Sequence, residues 1–356
     1  GDEMSLTNED LKSVLYEAMV RYYFRSESFS FKLADDDGMQ GFLLAAPLAE
    51  RDHSQAWLKK ALAPFTYGFT ETGELVRPDD EQMRALAKDF GVTTLLHLST
   101  LTEQGSFSAQ RAGAVLENET ARAALIRNTV REMRDGGFVG VDVDFEFLGK
   151  ALAASYAAFL QELSQAVHTA GGYLMAAVAP KTSDTQPGVL YEGHDYAAIG
   201  KAVDQVLLMT YEWGYTYGPP MAVAPIDAVE RVVRYAVSRI EPGKLLLGFP
   251  NYAYDWTLPY EAGLTRAVVI GNEAARQLAF DTRSEIQFDE TAQTPWFSYT
   301  GMDGAVHEVW FEDVRSSLAK FHLVKQYALR GLGYWNFMRP FTANFSLANA
   351  ALRLPD

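Results

Sequence analysis

Asp142, Asp144 and Glu146 stand at every second position of the run Val139-Gly140-Val141-Asp142-Val143-Asp144-Phe145-Glu146-Phe147. Side chains of a strand alternate between its two faces. The carboxyls therefore share a row with Gly140, and Val139, Val141, Val143, Phe145 and Phe147 form an apolar row opposite. Successive members of a row lie about 6.5 to 7 Å apart. A carboxyl held at a reacting bond can give and take protons, and one whose pKa is raised serves as a general acid near neutral pH. Like charges in such a row repel, and burying them is costly unless they share protons, accept hydrogen bonds or meet a ligand. The same alternation also describes an amphipathic strand with one solvated face, so the flanking elements decide between the two.

Upstream, residues 118–134 place Leu125, Ile126, Val130 and Met133 on a helical period, and Gly136-Gly137 supplies a C-terminal stop. Downstream, residues 151–170 place Tyr156, Phe159, Leu160, Leu163 and Val167 on another. A strand between two helices is expected to be parallel and covered on both faces, where acids are not solvated decoration. The pattern extends along the chain. Strands are expected at 41–46, 62–67, 92–99, 173–178, 203–211, 244–249 and 331–337, with a helix at 79–90 stopped by Gly91. With the acidic strand as the fourth, eight strands in order predict an α/β fold closed as a (β/α)8 TIM barrel. Residues 251–312 are too long for a loop and contain the alternating runs Ile286-Gln287-Phe288 and His307-Glu308-Val309-Trp310-Phe311. They are expected to form a small α+β insertion between strands seven and eight. Residues 1–38, with a helix expected at 9–24, read as an N-terminal extension to a barrel spanning 39–356. In such barrels the site lies at the C-terminal rim. That places Glu146 near the cleft and Asp142 about 13 to 14 Å deeper along the strand. Spacing alone leaves Asp144 and Glu146 near the roughly 6.5 to 9.5 Å of an inverting carboxyl pair, beyond the roughly 5 to 5.5 Å of a retaining one.

The segment Gly140-Val141-Asp142-Val143-Asp144-Phe145-Glu146 resembles the fourth-strand signature D-x-x-D-x-D-x-E of family 18 glycoside hydrolases, the chitinase-like barrels. Leu207-Leu208-Met209-Thr210-Tyr211-Glu212-Trp213-Gly214-Tyr215-Thr216-Tyr217-Gly218-Pro219-Pro220 and Gly248-Phe249-Pro250-Asn251-Tyr252-Ala253-Tyr254-Asp255-Trp256 are similar to the branch that contains spore-cortex-lytic N-acetylglucosaminidases. The resemblance covers roughly residues 41–340 and implies substrate assistance, in which the 2-acetamido oxygen of the sugar attacks its own anomeric carbon. It implies that Glu146 is the acid and base, that Asp144 orients the acetamido group and that Asp142 supports Asp144. It also implies that the Tyr211 hydroxyl holds the acetamido oxygen, that Trp335 floors the subsite and that Met209 lines it. Glu212 stands where chitinases commonly have Asp. The rings of Trp213, Tyr215, Tyr217, Tyr252, Tyr254 and Trp256 could line a sugar groove or brace their loops. Two positions depart from the pattern. Val139 replaces the first Asp, and His97-Leu98-Ser99-Thr100 lacks the S-x-G-G of the third strand, which weakens a claim on long chitin. The expected activity is cleavage of N-acetylglucosamine linkages in peptidoglycan or spore-cortex fragments. A chitinase or chitooligosaccharide hydrolase is the close alternative, and a non-catalytic, lectin-like barrel is the distant one, since such members typically replace the acid that Glu146 retains.

Composition bounds the partners. The net charge of -15 disfavours nucleic acid and anionic membrane surfaces, and no apolar run approaches the roughly 18 residues of a membrane span. The absence of cysteine excludes disulfides and thiolate metal sites. The six histidines are scattered without ligand spacing, so neither metal nor cofactor is expected. The chain opens Gly-Asp-Glu-Met, with no basic leader and no LysM motif in view; the expectation is either that a leader or an upstream wall-binding module has been removed or that the protein finds its target otherwise. An extracellular location at a cell wall or spore follows from the expected substrate.

Overall fold

The computed structural model describes residues 40–46, 59–89, 91–102 and 105–353. The extension expected at 1–38, with its helix at 9–24, lies outside them. Eight strands close a barrel: β1 (Gln40–Ala46), β2 (Lys59–Phe65), β3 (Thr93–Ser99), β4 (Gly140–Asp144), β5 (Tyr173–Val178), β6 (Gln205–Leu208), β7 (Leu245–Pro250) and β8 (Gly331–Trp335). From β2 to β8 each neighbour is parallel, and β1 completes the ring between β8 and β2. The (β/α)8 architecture is present with one departure, because β1 runs antiparallel to both neighbours. Antiparallel neighbours such as β1 and β2 need no helical crossover between them, whereas each parallel pair does.

The helices form where the apolar period requires. Glu119–Asp135 starts at Asn118, whose side chain accepts from the Ala121 N–H, and buries Leu125, Thr129 and Met133. It ends where Gly137 adopts φ of 73° and the Phe138 N–H returns to the Met133 carbonyl. Glycine takes that left-handed turn without steric cost. Gly149–Thr169 buries Tyr156, Phe159, Leu160, Leu163 and Val167. Between these helices β4 is buried throughout. The expected apolar row is shorter than the alternation suggested. Val141, Val143 and Phe145 are fully buried, whereas Val139 and Phe147 are exposed. Val139 precedes the strand, and Phe147, at φ of 56°, turns the chain outward. Gly140 is needed for packing, since a Cβ there would stand 2.3 Å from the Tyr173 carbonyl oxygen.

The sixth strand is also shorter than expected. Met209, Thr210 and Tyr211 leave the ladder, and the Thr210 hydroxyl donates to the Gly248 carbonyl at 2.7 Å. Between β7 and β8 the chain forms a five-stranded antiparallel sheet in the order 268–270, 253–258, 306–310, 294–300, 287–289, with the helix Asn272–Asp281 on one face. Ala275 and Ala279 of that helix cluster with Ala253, Phe297, Val309 and Phe311. Past this sheet, Glu312 accepts from Lys320 Nζ at 2.8 Å, with both side chains at most 1% exposed. Removing one partner of such a pair strands a buried charge. Lys320→Met should therefore lower unfolding free energy by about 3 to 5 kcal/mol in urea titrations, and Lys320→Met/Glu312→Leu should recover most of that loss.

Candidate active site

A cleft of about 260 Å³ opens at the C-terminal ends of the barrel strands. Asp144, Glu146, Met209, Tyr211, Glu212, Trp213 and Trp335 line it together, although they come from β4, the segment after β6 and the end of β8. Asp142 lies beneath, fully buried. Phe65, Phe107, Pro180, Leu190 and Tyr191 also line the cleft and were not anticipated.

The acidic row is fixed from both sides of its strand. On the outer side Phe145 stacks on Tyr156 and Phe159, with both ring centroids at 5.5 Å, and on Phe69 at 5.2 Å. On the inner side β3 and β4 pair in a register that sets His97 opposite Asp142 and Ser99 opposite Asp144. His97 Nδ1 lies 2.8 Å from Asp142 Oδ2, and Nε2 lies 3.8 Å from Asp144 Oδ2. Pairing between β4 and β5 stops at Val143 and Ala176. Beyond that point His194 joins the two chains: its Nδ1 accepts from the Ala179 N–H and its Nε2 donates to the Phe145 carbonyl, each at 2.9 Å. Burial lowers the His194 imidazole to about 4, against the pull of that carbonyl, so the ring stays neutral and keeps this tautomer. The carbonyl it holds belongs to the residue immediately before Glu146.

Environment separates the carboxyls by role. Burial pushes Asp144 up to about 6; His97 opposes the shift and Asp142 adds to it. Burial, with Asp144 and Glu212 nearby, holds Glu146 well above the ordinary carboxylate range. With its carboxyl at about 6, Asp144 favours the anion at neutral pH, beside a Glu146 carboxyl that burial and its acidic neighbours push toward the protonated form. Burial and the surrounding acids keep the Tyr211 phenol protonated, so its hydroxyl is a donor. The Tyr211 ring rests on Gly248, where a Cβ would stand 2.9 Å from Cε1 and 2.2 Å from the Leu208 carbonyl oxygen. Glu212, at φ of 70°, accepts from Tyr252 Oη at 2.5 Å and from Tyr254 Oη at 3.0 Å. Burial raises its carboxyl while those hydrogen bonds pull it down. Trp335 meets the Phe65 ring at 4.9 Å, and Phe65 in turn covers His97 at 5.1 Å.

Of the aromatics expected at a sugar groove, Trp213 and Trp335 reach the cleft, and Tyr252 stands behind Glu212. Trp256 does not reach it. It is fully buried, and its Nε1 donates to the Gly218 carbonyl at 2.8 Å, which braces the loop between β6 and the following helix. Tyr215 is exposed outside the lining, edge-on to Tyr217. His97 and His194 were missed as members of the site because each acts through a partner far along the chain. For His97 a signal existed, since it stands two positions before Ser99 on the strand that must flank the acidic one. Among the described residues no group of three or more His, Asp or Glu side chains is arranged to hold a metal ion.

The raised Asp144 carboxyl binds its proton more tightly folded than unfolded. It therefore adds no penalty below about pH 4, and it costs stability as the pH rises from about 4 through 6. Asp144→Asn should accordingly stabilise the protein at neutral pH by about 3 kcal/mol, with the gain vanishing in acid. Urea unfolding at several pH values measures both.

The matches to known proteins agree with this geometry. Residues 51–339 match the family Glycosyl hydrolases family 18. The chain is 41% identical over 286 residues to the cortical fragment-lytic enzyme of Bacillus subtilis, a match that covers 80% of this chain and 66% of that protein. Among solved structures, the Bacillus megaterium spore cortex-lytic enzyme SleL superposes with a TM-score of 0.77 at 39% identity, over 81% of this chain and 66% of that one. A chitinase from Chromobacterium violaceum superposes with a TM-score of 0.74 at 26% identity, over 81% and 90%. The matched region thus spans 66% of the length of the cortex-lytic relatives. The match over residues 51–339, most of the chain, with an acidic row that ends in Glu146 at the rim of a barrel, makes this chain a member of glycosyl hydrolase family 18.

Proposed function

We propose that this chain is a retaining, substrate-assisted glycosidase that cleaves N-acetylglucosamine linkages in peptidoglycan fragments of the spore cortex. The observation that carries the reading is that Glu146, Asp144 and the Tyr211 phenol line one cleft, where burial raises both carboxyls. Glu146 gives its proton to the leaving oxygen as the sugar acetamido oxygen closes on the anomeric carbon, and then takes a proton from the incoming water. Asp144 faces the acetamido nitrogen and stabilises the positive charge of the cyclised intermediate. The Tyr211 hydroxyl orients the acetamido oxygen. Asp142, a layer below, supports Asp144 from a depth at which it meets no sugar.

Substrate and place of action rest on the relatives. The cortical fragment-lytic enzyme of Bacillus subtilis and SleL of Bacillus megaterium are named for spore cortex, and both share about two fifths of the matched residues with this chain. The proposed site of action is the spore or cell wall. Among the described residues no helix is long and apolar enough to cross a membrane.

Glu146→Gln keeps the shape of the acid and removes its proton. It should bind cortex muropeptides and lower turnover by at least about 10²-fold, read by mass spectrometry of new reducing ends. Near-normal turnover by Glu146→Gln would remove the acid from Glu146. Cleavage confined to chitooligosaccharides would reassign the substrate, and binding without cleavage by the unmutated protein would leave a lectin. A thiazoline that mimics the cyclised intermediate should inhibit competitively; a linear mixed or absent response would argue against substrate assistance.

A further inference from the structure

His97 is a fully buried titratable side chain in the floor of the site to which the proposed reaction gives no task. One ring nitrogen faces each of two acids: Nδ1 lies 2.8 Å from Asp142 Oδ2 and Nε2 lies 3.8 Å from Asp144 Oδ2. Asp142 and Asp144 each retain an Oδ1 with no hydrogen-bond partner among the described residues. No Lys or Arg among the described residues forms an ion pair with either of them. Among the described residues, the other titratable groups facing this pair are the phenols of Tyr211 beyond β6, Tyr156 on Gly149–Thr169 and Tyr173 on β5, with the Glu146 carboxyl above Asp144. From β2 the Phe65 ring covers His97 and brings no charge.

Adjacent buried acids hold at least one proton between them. If Asp144 held it, a neutral carboxyl would face the developing positive charge of the intermediate and stabilise it poorly. If the imidazole holds it, both acids remain anionic while the group carries one net negative charge. Only the imidazolium has donors on both nitrogens; Nδ1 is within hydrogen-bond distance of Asp142, and Nε2 stands at 3.8 Å from Asp144, a charge contact beyond hydrogen-bond length.

We propose that His97 carries the shared proton of the acidic row and acts as a positioning residue that keeps Asp144 anionic and turned to the substrate. The assignment rests on the proposed hydrolase reading for its consequence, while the protonation state itself is measurable without turnover. In His97→Gln the amide can still donate to Asp142 but the positive charge is gone. The acid limb of kcat/KM should then move toward higher pH by about 10- to 1000-fold in proton concentration. At pH values below the displaced limb kcat should fall about tenfold for every unit that separates the pH from it, with KM little changed, and activity should return on the alkaline side. A loss that is uniform across pH, or an unmoved acid limb, would overturn the proposal. ¹⁵N NMR of the unmutated protein, with the histidine signals assigned by substituting each of the others, provides a readout independent of folding in the His97 variant. Protonation of both His97 nitrogens throughout the active pH range is expected, and a neutral ring there would overturn the proposal even if cortex cleavage is demonstrated.

Discussion

Asp142, Asp144 and Glu146 repel one another along a single strand whose neighbours exclude most water, and the structure around them is arranged to hold those charges apart in state and in depth. Deepest is Asp142, bonded to an imidazole. Asp144 comes next, raised by burial yet ionised at neutral pH. At the rim Glu146 is pushed well above the ordinary carboxylate range, toward its protonated form. The gradient follows from position along one strand, because each step of two residues moves a carboxyl about 7 Å toward the cleft. An apolar clamp on the opposite face, Phe145 against Tyr156 and Phe159, prevents the strand from rotating to relieve the repulsion.

The same constraint explains elements remote in sequence. Where the β4 and β5 ladder ends, a neutral His194 replaces the missing backbone hydrogen bonds and fixes the carbonyl before Glu146. On the far side of the cleft Glu212 adds a further carboxyl, which accepts from the phenols of Tyr252 and Tyr254 in the insertion. The insertion between β7 and β8 thus contributes directly to the electrostatics of the cleft through Tyr252 and Tyr254. Trp335 and Phe65 close the wall above His97, which keeps the floor dry and strengthens every charge interaction within it.

Periodicity made much of this legible in advance. The acidic row, the helices on either side and the later barrel strands follow from alternation and helical spacing, and the described strands fall within a few residues of the expected ones. What periodicity could not show depends on register and on neighbours. The orientation of β1 is decided by what it pairs with, and its residues carry no mark of direction. Val139 and Phe147 fit the apolar row by count, but the ladder begins after one and the chain turns at the other. Trp256 and Tyr252 belong to the same aromatic cluster in sequence, yet one is sealed against Gly218 and the other donates to Glu212. His97 is the plainest case. Its importance lies in the pairing that sets it opposite Asp142, a contact across 45 positions.

The stereochemistry of cleavage tests the central claim most directly, because a site with Glu146 as its one proton donor and the substrate as its own nucleophile must preserve the anomeric configuration. ¹H NMR of the first product formed from a β-linked N-acetylglucosamine oligomer or cortex fragment, recorded before mutarotation, should show the β-anomer. An initial α-anomer would mean that water attacks directly with Asp144 as its base, and would contradict the account.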